Sequence, residues 1–219
     1  MSFTKQQIIS SIRETGFVPL LSHPDPQVAA EAMKAAYRGG VRVFEYTNRQ
    51  PNSFEVFKSL LTVAESLPGL MLGIGTIMDK ETSLKYISAG AHFIIAPILN
   101  PEMAPVCHEY NKLWIPGCAT LTEIVSARNL GAEVIKIFPG SVLGPGFVSA
   151  IMPVVPHLQL MITGGVEPTE KSLAAWFHAG ATCVGLGSQL FTKEILENQD
   201  WSRLEQTVRY VLDVIKTIK

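Results

Sequence analysis

Little of this chain is charged. Asp, Glu, Lys and Arg make up 17% of its 219 residues, whereas 47% are apolar. So few charges on a chain of this length imply a large buried surface and a proper core. The formal net charge is −1 and no basic block occurs, which argues against a nucleic-acid surface or a polybasic membrane anchor. Cysteine is sparse as well. Cys107, Cys118 and Cys183 are scattered without C-x-x-C spacing, so no disulfide framework is expected and a reducing cytoplasm fits best. Long apolar runs are missing. Residues 1–21 carry Lys5, Arg13 and Glu14 without an unbroken apolar centre, so no signal peptide is expected. The most apolar later stretch, 148–162, is cut by Pro153, Pro156 and His157, and nothing is expected to span a bilayer.

Several chemistries lack their residues. His23, His92, His108, His157 and His178 stand singly, with no pair at ligand spacing, so no metal site is expected. There is no G-x-S-x-G elbow for a serine hydrolase. Gly73-Ile74-Gly75 and Gly185-Leu186-Gly187 both lack the third glycine of a dinucleotide fingerprint. Cys118 ends a strand after Pro116-Gly117 and is either a nucleophile or a small buried residue; the second reading is favoured.

What is present is a repeating local pattern. Helical segments end on glycine and an apolar strand begins almost at once, at Gly39-Gly40, Gly90, Gly131 and Gly180. These copies lie roughly 40 to 50 residues apart, one or two β-α units per step. Filling the gaps gives eight strands, near 17–21, 41–47, 70–75, 92–96, 113–115, 134–138, 159–163 and 182–186. Helix starts are signed by Asp25-Pro26, Asn100-Pro101 and the capping box Thr120-Leu121-Thr122-Glu123. The expectation is an α/β fold, a (β/α)8 TIM barrel forming a single domain over 1–219, with an open doubly wound sheet as the alternative. An extra N-terminal helix over roughly 4–14, with Ile8, Ile9 and Ile12 on one side, is expected to plug the barrel's N-terminal end. A C-terminal helix capped by Asp200 carries Trp201, Leu204, Val208, Val211, Ile215 and Ile218; its seam either meets a partner helix or packs on its own domain, the favoured reading.

Within this frame one residue stands out. Lys136 is alone in the apolar strand Val134-Ile135-Lys136-Ile137-Phe138, where an ammonium loses its hydration. A desolvated lysine becomes a free amine, the form that attacks carbonyl carbons. A lysine paired with a buried carboxylate for structure alone is the competing reading, and the strand by itself does not separate the two. In a barrel, function gathers at the C-terminal ends of strands. There, the period of two puts Glu45 and Arg49 on the face of Val43 and Thr47, Thr76 ends the third strand, and two glycine-rich turns follow the last two strands. Thr163-Gly164-Gly165 and Gly185-Leu186-Gly187-Ser188 are expected to lead into helices whose free amides attract an anion, or to need glycine for geometry alone. Glu45 could instead be half of a structural ion pair, Arg49 a solvated loop residue and Thr76 a helix cap. Together they supply a base, a cation and a hydroxyl beside the amine, which is what carbonyl chemistry on a keto acid requires.

The segments Phe44-Glu45-Tyr46-Thr47-Asn48-Arg49, Gly73-Ile74-Gly75-Thr76, Pro116-Gly117-Cys118-Ala119-Thr120, Lys136-Ile137-Phe138-Pro139 and Thr163-Gly164-Gly165 resemble the 2-keto-3-deoxy-6-phosphogluconate/4-hydroxy-2-oxoglutarate aldolases, in order and spacing, from about residue 4 to about 190. The resemblance implies a class I pyruvate aldolase on a (β/α)8 barrel, commonly a trimer, needing no metal or organic cofactor. It implies that Lys136 forms the imine and Glu45 shuttles protons. Arg49 and Thr76 would hold the pyruvate carboxylate, and Gly164, Gly165 and Ser188, with Gly187 adjacent, the phosphate of a small keto-acid substrate. Two departures bear on the aldehyde half: Ala96-Pro97-Ile98 where the family often has Ser-Pro-Gly, and a first strand, Val18-Pro19-Leu20-Leu21-Ser22-His23, less basic at its end. Two other readings remain at this point, a phosphate-sugar isomerase or epimerase and a silent metabolite-binding barrel; both leave Lys136 without a covalent task.

Overall fold

Short apolar strands and amphipathic helices alternate along the whole chain. The computed structural model describes residues 3–219, so the first two positions of the expected 1–219 domain lie outside the described residues. The first half runs α1 (Lys5–Thr15), β1 (Phe17–Leu21), α2 (Pro26–Arg38), β2 (Val43–Thr47), α3 (Ser53–Glu65), β3 (Met71–Gly75), α4 (Lys80–Ala89), β4 (Phe93–Ile95) and α5 (Met103–Glu109). The second runs β5 (Leu113–Ile115), β6 (Gly117–Cys118), α6 (Leu121–Asn129), β7 (Ile135–Ile137), α7 (Gly140–Ile151), β8 (Leu160–Thr163), α8 (Glu170–Ala179), β9 (Cys183–Leu186), α9 (Lys193–Glu197) and α10 (Trp201–Ile218).

All strand pairs are parallel, in the order β5-β4-β3-β2-β1-β9-β8-β7-β6. The outermost segments, β5 and β6, are joined by Pro116 alone. Ala96 N–H donates to Ile115 O (3.0 Å) on one side, and Lys136 N–H to Pro116 O (2.8 Å) on the other. A nearly closed parallel barrel results, a TIM-like α/β fold, and the open doubly wound alternative is excluded. The expected fifth strand, 113–115, is corrected here: it continues past Pro116 to Cys118, giving nine segments where eight strands were read. Proline cannot donate to a ladder and so ends a strand on paper, but its carbonyl still accepts.

Local signals account for most element ends. Asp25 accepts from the Gln27 and Val28 N–H groups with Pro26 at the first helical position; Thr120 and Glu123 form a capping box; Asp200 caps α10. Gly40, Gly90, Gly131 and Gly180 take the left-handed conformation expected of them. The Asn100-Pro101 start is corrected. Asn100 accepts from Glu102 N–H (3.0 Å) and donates to Met78 O (2.9 Å), and α5 begins only at Met103. Its oxygen caps the turn that leads into α5, while its amide ties that turn to the loop of Met78.

Two apolar clusters form the core. Inside the barrel, Ile8, Ile9 and Ile12 of α1 pack with Val18, Val43, Met71, Phe93, Val134, Met161 and Cys183, so α1 fills the N-terminal end as expected. The other cluster lies between sheet and helices and includes Ile135 and Ile137, the opposite face of the lysine strand. The α10 seam packs on its own chain, burying Leu204, Val208, Val211 and Ile215 against α2 and α8. Among the described residues, no helix is long and apolar enough to cross a membrane.

Candidate active site

Strand periodicity decides what reaches the mouth of the barrel. Two residues beyond the apolar positions Val43, Val134, Met161 and Cys183, on the same face, stand Glu45, Lys136, Thr163 and Gly185. Lys136 is 2% exposed and Glu45 fully buried. The lysine Nζ lies 5.0 Å from the centroid of the Phe138 ring, two residues along the same face. Neither carboxylate oxygen of Glu45 has a hydrogen-bond partner among the described residues, so the two side chains act on each other through space. Burial pushes the Lys136 amine below the ordinary lysine value; Glu45 opposes this and the Arg49 charge adds to it. Burial pushes the Glu45 carboxyl up, against the opposing pull of Lys136 and Arg49. Desolvation therefore disfavours the charged form of each group, an arrangement in which an amine can attack a carbonyl carbon and a neighbouring carboxyl can carry a proton.

Arg49 and Thr76 meet beside this pair. Arg49 is exposed, and its Nε donates to Thr76 Oγ1 at 3.2 Å. Thr76 has φ 61°, a left-handed conformation rare for a β-branched residue and costly unless its surroundings fix it. It does not cap α4; Asp79 does, accepting from Thr82 N–H. The loop carrying Arg49 is pinned one residue earlier. Asn48 N–H donates to Gly75 O (2.9 Å), and Asn48 Oδ1 accepts from the Tyr86 hydroxyl (2.7 Å). Burial pushes the Tyr86 hydroxyl up to about 12, so it stays a donor.

The glycine turns require correction. Gly164 and Gly165 are left-handed, φ 86° and 73°, and a β-carbon on Gly165 would come within 2.6 Å of Ser141 Cα. Geometry thus demands glycine there whatever binds. Helix α8 starts five residues later, with Thr169 Oγ1 accepting from Ser172 N–H and Ser172 Oγ accepting from Glu167 N–H in the preceding loop. After β9, Gly187 O accepts from Leu190 and Phe191 N–H in a single turn, and α9 has only five residues. Neither turn opens directly into a long helix, so an anion there would meet loop amides and the exposed Ser188 hydroxyl. A cleft of about 390 Å³ lined by Gly140, Ser141, Gly165 and Lys171 borders this rim from outside the barrel.

One residue was named in the sequence only as part of a motif. Thr163 is 5% exposed, its Oγ1 has no partner among the described residues, and a β-carbon on Gly185 would stand 2.7 Å from that oxygen. It lines the interior between the lysine and the glycine turns. Its position on the Met161 face was readable; its lack of a partner was not. Cys118 belongs to the cluster beneath the helices, and burial pushes its thiol up to about 12, which fits the structural reading. Among the described residues no cluster of His, Cys, Asp or Glu could hold a metal ion.

Residues 8–207 match the family described as KDPG and KHG aldolase. The chain belongs to this family. It is 26% identical over 217 residues to the 2-dehydro-3-deoxy-phosphogluconate aldolase of Haemophilus influenzae, covering 99% of this chain and 100% of that one. A stretch of 122 residues, 55% of this chain and 58% of the relative, is 35% identical to the 2-dehydro-3-deoxy-6-phosphogalactonate aldolase of Escherichia coli. The fold is shared with the KDPG aldolase of Legionella pneumophila, solved with pyruvate captured as a covalent carbinolamine: TM-score 0.82, 24% identity, 93% of this chain and 97% of that one. The aldolase is a carbon–carbon lyase, and the isomerase and silent-barrel readings fall away.

Proposed function

We propose that this aldolase cleaves a 2-keto-3-deoxy-6-phospho sugar acid to pyruvate and glyceraldehyde 3-phosphate through a Schiff base on Lys136. The observation that carries this is a nearly buried amine, its charge disfavoured, facing one buried carboxyl. The amine attacks the C2 carbonyl, and loss of water from the carbinolamine gives a protonated imine. Glu45 takes the C4 hydroxyl proton, the C3–C4 bond breaks, and its electron pair moves into the iminium to form an enamine. The aldehyde departs; protonation at C3 and hydrolysis then release pyruvate and restore the amine. Arg49 and Thr76 hold the substrate carboxylate, while Gly164, Gly165, Gly187 and Ser188 receive the phosphate. The carbinolamine on the Legionella enzyme supports the covalent route. We further propose one catalytic domain over the whole chain, working as a cytoplasmic homotrimer.

The test is borohydride reduction in the presence of pyruvate, followed by peptide mass spectrometry, with retro-aldol rates on the gluconate- and galactonate-derived acids, which differ at C4. A reduced adduct at Lys136, and loss of turnover by on the order of 10⁴-fold in Lys136→Ala, are expected. An unmodified Lys136, or a Lys136→Ala variant that still cleaves substrate, sinks the reading.

A further inference from the structure

Strand β3 contributes two glycines to the barrel interior, and they do different things. A β-carbon on Gly73 would run into the Phe93 ring, which is ordinary packing. On Gly75 it would overlap Glu45 Oε1 outright and stand 2.5 Å from Cδ. The carboxyl of Glu45 therefore rests in the space that any other residue at 75 would fill. Backbone conformation does not explain this glycine, since Gly75 lies outside the left-handed region where side chains are strained. Hydrogen bonding does not locate the carboxyl either, because both oxygens are unpartnered among the described residues. Besides the through-space pull of Lys136 and Arg49, the room left by the missing side chain of Gly75 helps fix where the carboxyl lies. The same residue anchors the neighbouring loop, its carbonyl accepting from Asn48 N–H beside Arg49.

We infer that Gly75 is a positioning residue, a recess one methyl deep that seats the Glu45 carboxyl for proton transfer at the Lys136 imine. The inference rests on the proposed Schiff-base reading and adds a residue to it. Misplacing a catalytic group by about 1 Å costs on the order of 100-fold in rate. A methyl at 75 displaces the carboxyl by at least that much while leaving the lysine untouched. Imine formation and proton transfer should then come apart. With pyruvate in heavy water, the carboxylate removes a methyl proton from the Lys136 imine to give the enamine, and a deuteron returns to the same carbon. Exchange into pyruvate reports on Glu45, and borohydride trapping reports on Lys136.

Wild type, Gly75→Ala, Glu45→Asp and the Gly75→Ala/Glu45→Asp double variant are compared for trapping, methyl exchange and melting temperature. Gly75→Ala is expected to trap pyruvate nearly as well as wild type but to exchange about 100-fold more slowly. Shortening the acid by one methylene makes room for the added methyl, so the double variant should exchange about tenfold faster than Gly75→Ala although Glu45→Asp alone is slowed. Exchange in Gly75→Ala within about twofold of wild type, or no recovery in the double variant, overturns the inference. Should Gly75→Ala fail to fold, Gly75→Ala/Glu45→Ala must regain the wild-type melting temperature; equal instability would mean the recess serves strand packing alone. A wild-type protein that forms no adduct defeats the aldolase reading itself, whereas a normal adduct with normal exchange in Gly75→Ala defeats only the role of Gly75.

Discussion

The two ends of the barrel interior are built from the same strands and carry opposite chemistry. At the N-terminal end Val43, Val134, Met161 and Cys183 close around the isoleucines of α1, each buried side chain of this size contributing roughly 1.5–3 kcal/mol. Two residues further on, those strands present Glu45, Lys136, Thr163 and Gly185, of which the polar three are buried and the carboxyl and hydroxyl oxygens have no partner among the described residues. The lower layer holds the barrel shut. The upper layer gives up stability to keep reactive groups dry, a division that a period of two makes available at a spacing of one pleat.

If that division is real, variants in the two layers should fail in different ways. The largest effect on stability is expected from Ile12→Ala in the plug, a fully buried site, which should cost about 2–5 kcal/mol in denaturant unfolding while kcat of the surviving folded protein stays near wild type. A matching loss of kcat would mean the layers are not separate. Next comes the upper layer. Replacing both buried ionisable groups by apolar ones, Lys136→Met with Glu45→Met, should abolish activity yet raise stability by about 1–4 kcal/mol. The pH dependence has a sign in each window. Below the ordinary lysine value the unfolded chain binds more protons at Lys136, so wild-type stability rises with pH there, whereas the raised Glu45 carboxyl makes stability fall with pH just above the ordinary glutamate value. The advantage of the double variant should therefore shrink as pH climbs toward the ordinary lysine value; an advantage that widens there contradicts the assigned shift. The smallest effect belongs to the rim. Ser188→Asp should raise KM for a phosphorylated substrate about tenfold by charge repulsion, with KM for an unphosphorylated analogue unmoved. An unchanged KM for both places the anion elsewhere.

These contrasts also mark what was legible in the sequence. A single charge in an apolar strand exposes Lys136, and parity alone carries Glu45 to the same interior. Parallel strands separated by capped helices point to the barrel, because cap, helix and strand signals are local. What failed was whatever depended on a neighbour distant in sequence. Asn100 caps a turn as it looks to, but the bond from its amide to Met78 O in another loop was not readable, nor was the start of α5 at Met103. Pro116 looks like a strand end until its carbonyl accepts from Lys136 N–H. Gly75 is one glycine among seventeen until the cross-strand position of Glu45 gives it meaning. The glycine turns were found, but their helices were placed too close, since nothing in Gly164-Gly165-Val166-Glu167-Pro168 tells how far the loop travels before Thr169 caps α8.

The bend at Pro116 has one more consequence. Because Leu113–Ile115 bonds to β4 and Gly117–Cys118 to β7, both ends of the strand order fall on one bent segment, which leaves a passing extended peptide little free flank of amides and carbonyls. Strand addition, a hazard of exposed sheet edges, finds little purchase on this molecule. Copies of the chain that gather around it would meet mainly the side chains of helices and loops, the strand ladders being turned toward one another.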